Sequence, residues 1–249
     1  IVIPSANENE AALVKGINVF AFKSLPGVIQ LLCDPESFQP ASKNMDEILS
    51  AEQHVIDFKE IRGQHHIKRA LEVAASGRHN ILMIGPPGAG KTMMARRIPT
   101  ILPPMSLEEI IDVTRVYSAA GLLDKKGFVG VRPFRAPHHT ISVAGMTGGG
   151  SFPRPGSVSL AHHGVLFLDE LPEFQKQVLE GLRQPLEDRT VTISRAAMNV
   201  TYPADFMLVA AMNPFEDSYS AFPEADNPYP SAGRSRYYSR VSGPLIDRI

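Results

Sequence analysis

The sequence predicts an α/β fold built on a parallel sheet. Asn80–Ile84, Val165–Leu168 and Phe206–Ala211 are short, continuous apolar runs, the pattern of strands buried on both faces. Helical segments lie between them, and strands alternating with helices give parallel pairing. A chain of 249 residues, 43% hydrophobic and 20% charged, is long and apolar enough to bury a sizeable core.

The elements follow in order. Residues 1–33 hold two apolar stretches, Ile1–Ile3 and Ile17–Phe22, and a helical pattern through Val28, Ile29, Leu31 and Leu32. That is too little to bury a core alone. A polar stretch with Pro35 and Pro40 then runs to residue 56 and reads as a linker. Gln64–Ser76 predicts a helix leading through Gly77 into the strand Asn80–Ile84, and a further helix runs from Lys91 to about Pro99, where the missing N–H stops it. Ser106-Leu-Glu-Glu109 has the spacing of a capping box and opens a helix with Leu107, Ile110, Ile111 and Thr114 on one face. Residues 121–160 are rich in Gly and Pro and predict no simple element. After Val165–Leu168, residues 172–184 predict one helix with Phe174, Val178, Leu179 and Leu182 on a stripe and Pro185 just beyond it. Thr190–Ser194 and Met198–Tyr202 alternate with period two around Arg195, Ala196 and Ala197, which predicts a hairpin whose turn type stays open.

Composition excludes several classes. Twenty-five Lys and Arg against 26 Asp and Glu give a net charge of −1, so a globally basic nucleic-acid coat is excluded, though not a local basic patch. One cysteine, Cys33, leaves no intrachain disulfide framework and no Cys-rich zinc module. No apolar run approaches the roughly 18 residues of a membrane span, and the start does not have the pattern of a signal peptide. A soluble, cytoplasmic protein without a membrane partner is expected. The chain starts without Met and stops at Ile249, and is expected to be a piece of a longer protein.

The chemistry concentrates after the first buried strand. Gly85-Pro86-Pro87-Gly88-Ala89-Gly90-Lys91-Thr92 fits GxxxxGK[ST] at every position and sits between a predicted strand and a predicted helix, the context that pattern requires. Glycines let backbone N–H groups line a nest for phosphate oxygens. Lys91 is placed to reach the β- and γ-phosphates of ATP, and Thr92 to hold Mg2+. Val165–Leu168 then delivers Asp169 and Glu170 to the end of a buried strand, the edge where ligands bind in open α/β sheets. One acid can serve the metal and the next can align water. Asn213 ends the third strand before Pro214. It can bridge the attacking water and the γ-phosphate, or it can be a turn residue.

These residues resemble the magnesium-chelatase-like AAA+ ATPases of the ComM/YifB group. The matches are Asp57-Phe-Lys-Glu-Ile-Arg-Gly-Gln64, the loop at 85–92, Arg132-Pro-Phe-Arg-Ala-Pro-His-His139, Gly148–Gly150, Pro155-Gly156, Ser159–His162, Gly164–Leu171, Ala211–Pro214 and Ser242–Arg248. The resemblance implies a P-loop NTPase of AAA+ type, a parallel sheet flanked by helices with a helix-2 insertion and a pre-sensor-1 hairpin, preceded by a small α+β remnant. It divides the chain into the end of a Lon-protease-like domain (1–35), a linker (36–56) and an AAA+ core (57–249). Asp169 and Glu170 fall on the Walker B pair, with Glu170 as catalytic base. Asn213 falls on sensor 1. Arg248 falls on an arginine finger that acts on the next subunit of a homo-oligomeric ring, a hexamer. Arg62, Gly63 and Gln64 match the segment lining the adenine pocket. Two departures stand out. Phe215-Glu-Asp-Ser-Tyr219 carries none of the cysteines many relatives have there, which excludes a zinc site in that loop. The chain also ends before the strand and helical lid that follow Arg248 in the family, so weak nucleotide binding or lost hydrolysis is expected of this piece.

Between Asp124 and Ser157 the basic residues Lys125, Lys126, Arg132, Arg135 and Arg154 face one acid, Asp124, a local charge of +4, with Phe128, Phe134 and Phe152 interleaved. Phosphate neutralisation and stacking are what single-stranded nucleic acid needs. Arg132, Arg135 and, at the hairpin tip, Arg195 are the candidates for contact with single-stranded or branched DNA. The alternative is that the arginines pair with acids at a subunit interface and the phenylalanines pack the insertion. Three His pairs, His65-His66, His138-His139 and His162-His163, lack metal-site spacing and read as solvated or hydrogen-bonded. Met93 and Met94 read as packing. The resemblance thus implies an ATP-driven DNA motor, with a chelatase-type ATPase acting on a protein partner for Mg2+ insertion into a porphyrin as the alternative.

Overall fold

The computed structural model describes residues 1–14, 16–41, 56–124, 126–150, 152–195, 198–214 and 240–249. In chain order the strands are β1 (Val2–Pro4), β2 (Phe20–Phe22), β3 (Ile81–Ile84), β4 (Phe134–Arg135), β5 (Gly148–Gly149), β6 (Arg154–Pro155), β7 (Val165–Leu168), β8 (Thr190–Arg195), β9 (Met198–Pro203) and β10 (Met207–Met212). The helices are α1 (Glu8–Ala11), α2 (Leu25–Cys33), α3 (His65–Gly77), α4 (Lys91–Arg97), α5 (Leu107–Ala120), α6 (Val143–Thr147), α7 (Ser157–Leu160), α8 (Lys176–Glu180), α9 (Arg183–Asp188) and α10 (Gly243–Ile246). Among the described residues no helix is long and apolar enough to cross a membrane.

The chain folds as two compact units. The first comprises residues 1–54 and 104–131. In it β1 and β2 pair in parallel, Ile3 opposite Ala21. Leu13 is buried with Met105, Ile110, Val113 and Phe128, so the amino-terminal stretch completes its core with α5 and the loop after it. The capping box is present: Ser106 Oγ accepts from Glu109 N at 3.2 Å and Glu109 Oε2 accepts from Ser106 N at 2.9 Å. Gly121, at φ 70°, ends the helix in the left-handed conformation a side chain resists.

The second unit comprises residues 55–103 and 132–249. Its sheet has the order β3-β10-β7-β4, every pair parallel. Alternate side chains face opposite sides. Val165, Phe167, Met207 and Val209 pack with Leu71 and Ala74 of α3 and Met94 and Ala95 of α4. Leu166, Leu168, Leu208 and Ala210 pack with Met146, Val158, Val178, Leu179 and Leu182 on the other face. Helices therefore cover both faces, which is why the strands read as unbroken apolar runs. Gly164 is required where β7 begins, because a Cβ there would lie 2.0 Å from the Pro133 carbonyl oxygen.

Three expectations are corrected. Residues 121–160 do contain regular elements: α6 and α7 flank the hairpin β5–β6, and β4 forms an edge of the main sheet. The helix expected over 172–184 is broken. Glu170 takes a left-handed φ of 52°, Leu171–Glu173 form a 3-10 turn, Phe174 is extended, and only then do α8 and α9 follow. Its apolar stripe is nevertheless buried throughout. Pro185 lies in the first turn of α9 rather than after a helix, where its missing N–H costs nothing. The hairpin β8–β9 carries its pairing to Arg195 opposite Met198, and the turn residues 196–197 lie outside the described residues.

Candidate nucleotide-binding site

Three neighbouring strands deliver the site. β3 runs into the loop 85–90, β10 ends at Asn213, and β7 ends at Asp169 and Glu170. Gly88 and Gly90 adopt φ of 79° and 83°, so the loop curls in a conformation open to glycine and costly for other residues. α4 starts at Lys91 with no side-chain cap on Gly90, leaving first-turn N–H groups without intrahelical acceptors.

Lys91 Nζ donates to Gly85 O at 2.6 Å, Pro86 O at 3.0 Å and Asn213 Oδ1 at 2.9 Å. The ammonium thereby uses its three donors on neutral oxygens, which an anionic phosphate oxygen outcompetes because opposite full charges add Coulomb attraction to the hydrogen bond. Asn213, open between a turn role and a site role from sequence, is brought onto Lys91. Thr92 Oγ1 donates to Asp169 Oδ2 at 2.6 Å. Two hard oxygens in contact, one of them anionic, fit a Mg2+ site that keeps water and phosphate as its other ligands. Asp169 Oδ1 accepts from Glu170 N at 3.0 Å, which helps fix Glu170 in its left-handed backbone. The Glu170 carboxylate lies 3.3 Å from His139 Nδ1.

The segment after Asp57 is held against α4. Phe58 N donates to Thr100 Oγ1 at 3.2 Å, Glu60 pairs with Arg97, and Phe58 and Ile61 are buried. Lys59 N–H donates to the Asp57 carboxylate at 2.9 Å and holds its pKa below the ordinary carboxylate value. Gly63 and Gln64 are both left-handed, and Gln64 lines a cavity of about 520 Å3 with Ile67, Ala70, the edge of β3, Gly85 and Lys91. An apolar cavity continuous with the phosphate loop suits a flat base. Arg62 and Gly63 do not line it.

Arg248 lies elsewhere. Its carbonyl accepts from Asn80 Nδ2 at 2.6 Å, at the start of β3, whereas the phosphate loop follows the end of that strand. Four residues of strand separate the two by about 13 Å. Its guanidinium pairs with Glu187 and bonds to Pro244 O.

Among the described residues, the expected nucleic-acid residues differ in exposure. Arg132 is corrected: it is 9% exposed, and its guanidinium donates to Pro103 O at 2.5 Å and His163 O at 2.7 Å. It is a buried clamp on two carbonyls. Phe128 is core, and Phe134 stacks on Phe167 at 6.0 Å. Arg135 is half-buried on the edge strand β4, Arg154 is exposed on β6, and Phe152 is 80% exposed. Tyr202 Oη donates to Pro153 O at 2.9 Å, bracing β9 against the loop that carries Phe152. Lys125, the Arg195 side chain and the stretch 215–219 lie outside the described residues. His162 Nδ1 accepts from Asp205 N at 3.1 Å, a hydrogen-bonded histidine as expected. His139, beside Glu170, is the site residue that sequence reasoning missed.

A family model described as magnesium chelatase, subunit ChlI, matches residues 57–249. The chain is 43% identical over 253 residues to the competence protein ComM of Haemophilus influenzae, covering 100% of this chain and 49% of that protein. It is 41% identical over 249 residues to the protein YifB of Escherichia coli, covering 100% and 48%. The chain thus spans about half the length of the curated relatives it matches. A solved complex of the magnesium chelatase subunits BchI and BchD contains a chain of similar fold, with a TM-score of 0.51 at 20% identity over 78% of this chain and 70% of that one.

Proposed function

The chain belongs to the magnesium chelatase subunit ChlI family, in its ComM/YifB branch, and on that premise we propose that it is the ATP-hydrolysing AAA+ core of a ring that moves along or branch-migrates DNA. The observation that carries the ATPase reading is the 2.6 Å contact of Thr92 Oγ1 with Asp169 Oδ2 beside the Lys91–Asn213 bond. It gathers a phosphate cation, a metal-binding oxygen pair and a polar amide at one edge of the sheet.

In this reading the loop 85–92 wraps the phosphates and Lys91 neutralises their charge. Thr92 and Asp169 would hold Mg2+, which would supply neutralisation of phosphate charge. Glu170 orients the attacking water and takes its proton. Asn213 places that water against the γ-phosphate. Arg248, remote from its own loop, stabilises transition-state charge on a neighbouring subunit of a hexameric ring. Residues 57–249 are the motor, 36–56 the linker and 1–35 the end of a Lon-protease-like domain, and the whole acts in the cytoplasm.

The DNA reading is supported by Arg135, Arg154 and the exposed Phe152, by the hairpin whose first strand ends at Arg195, and by 43% identity along the chain to a protein named for competence. A chelatase-type ATPase, acting on a protein partner for Mg2+ insertion into a porphyrin, is favoured by the family description alone. ATPase rates of the full-length parent with and without branched or single-stranded DNA at low salt separate the two. Stimulation by DNA, lost in Arg195→Ala with ATP binding retained, is expected for the motor. No response to either DNA overturns it in favour of the chelatase-type reading. Lys91→Ala abolishes ATP binding in both.

A further inference from the structure

Asn80 stands just before β3, and its side-chain amide is used at both ends. Oδ1 accepts from Leu208 N of β10 at 2.8 Å, and Nδ2 donates to Arg248 O at 2.6 Å. The pairing of β3 with β10 begins one residue later, with Ile81 opposite Val209, so the amide continues the ladder where the main chain has left it. The reverse orientation of the amide would set donor against donor and acceptor against acceptor. The two bonds therefore require an acceptor and a donor on one short side chain.

The segment that carries Arg248 is otherwise anchored ahead of it. Arg240 Nη1 donates to Glu173 Oε1 at 2.8 Å, Val241 and Leu245 are buried, and Ile249 packs on the same core. Arg248 lies just past α10, with its N–H bonded to Leu245 O at 3.1 Å. With the carbonyl held by Asn80, both main-chain groups of Arg248 are bonded, and its two soft dihedrals are fixed between them. That sets the direction in which a long, rotamer-rich side chain leaves the main chain. The guanidinium pairs with Glu187 within the chain. Once that pair is exchanged for a phosphate, the main-chain tie is what still holds the origin of the side chain. A misplacement of about 1 Å at a reacting site can cost about 100-fold in rate.

We infer that Asn80 is the positioning residue of Arg248. Its amide ties the arginine carbonyl to β10 and so aims the side chain at the nucleotide of the next subunit. This rests on Arg248 acting on a neighbouring subunit. It gives Asn80, at the far end of β3 from the phosphate loop, a role in another subunit's hydrolytic site rather than in its own.

The test uses the full-length parent, with variants taken singly and in equal mixtures assembled together, and measures steady-state ATPase and direct ATP binding. Native mass spectrometry checks that the mixed rings contain both variants. Asn80→Asp keeps the size of the side chain and the acceptor for Leu208 N, and replaces the donor by an oxygen that repels the Arg248 carbonyl. Asn80→Ala removes both bonds without adding a charge. Each alone is expected to lose about tenfold or more in kcat with ATP affinity unchanged. Mixed with Lys91→Ala, which brings a correctly held Arg248 and no working loop, each is expected to rise to the turnover of the reference pair, Lys91→Ala with Arg248→Ala. Mixed with Arg248→Ala, which brings a working loop and no arginine, each shows no gain. A merely structural role would affect both mixtures alike. Wild-type kcat in both Asn80 variants, or any pattern other than recovery with Lys91→Ala alone while the reference pair recovers, overturns the inference. No recovery in the reference pair refutes the reading of Arg248 on which it rests.

Discussion

At the scale of single residues, the sequence was most legible where the backbone itself does the chemistry. Gly88 and Gly90 need left-handed φ, Lys91 and Thr92 follow at fixed offsets, and a local pattern captures all four. Arg132 was not legible, because its role depends on carbonyls 29 and 31 residues away. Its charge read as a surface feature, and its burial makes it a structural one. Arg132→Ala is therefore expected to destabilise the fold by about 1–3 kcal/mol, since it strips buried carbonyls of a charged donor. Urea unfolding checks this. A variant with unchanged stability and weakened DNA binding would restore Arg132 to the nucleic-acid face. His139 escaped for the related reason that its meaning lies in the register between two strands, which no single segment encodes.

At the scale of elements, the strands came through because each is buried on both faces and therefore apolar at every position. The capping box came through because Ser106 and Glu109 recognise each other across three residues. Ser106→Ala is expected to lower stability by about 1 kcal/mol, read as a lower unfolding midpoint with an unchanged denaturant slope. An unaltered midpoint would mean that α5 is set by the packing of Ile110 and Val113 rather than by its cap. The helix predicted over 172–184 failed on a different ground. Its apolar stripe is real, but the left-handed Glu170 and the extended Phe174 impose breaks that periodicity does not report. In the proposed reading Glu170 is the base at the end of a strand, and the local rule yields at that turn.

At the scale of the whole molecule, local signals say least. Nothing in the sequence of α5 announces that residues 104–131 share a compact unit with residues 1–54, because that grouping is made by Leu13 meeting Ile110 and Val113. Assembly is equally invisible to local reading, yet Arg248 constrains it. Its backbone is fixed at the start of β3 by Asn80 and its guanidinium by Glu187, with the strand between it and its own phosphate loop. An arginine so placed serves hydrolysis only if another copy brings its loop to it. Lys91→Ala subunits keep Arg248 but cannot bind ATP, and Arg248→Ala subunits keep the loop but lack the arginine. Each full-length variant alone is expected to be inactive. Mixed in equal amounts before assembly, they form about a quarter of their head-to-tail interfaces with an intact loop facing an intact arginine, and turnover is expected to return at those interfaces. Absence of any recovery, in mixtures shown by native mass spectrometry to contain both variants, would place Arg248 outside the hydrolytic site and leave its pairing with Glu187 as its whole role.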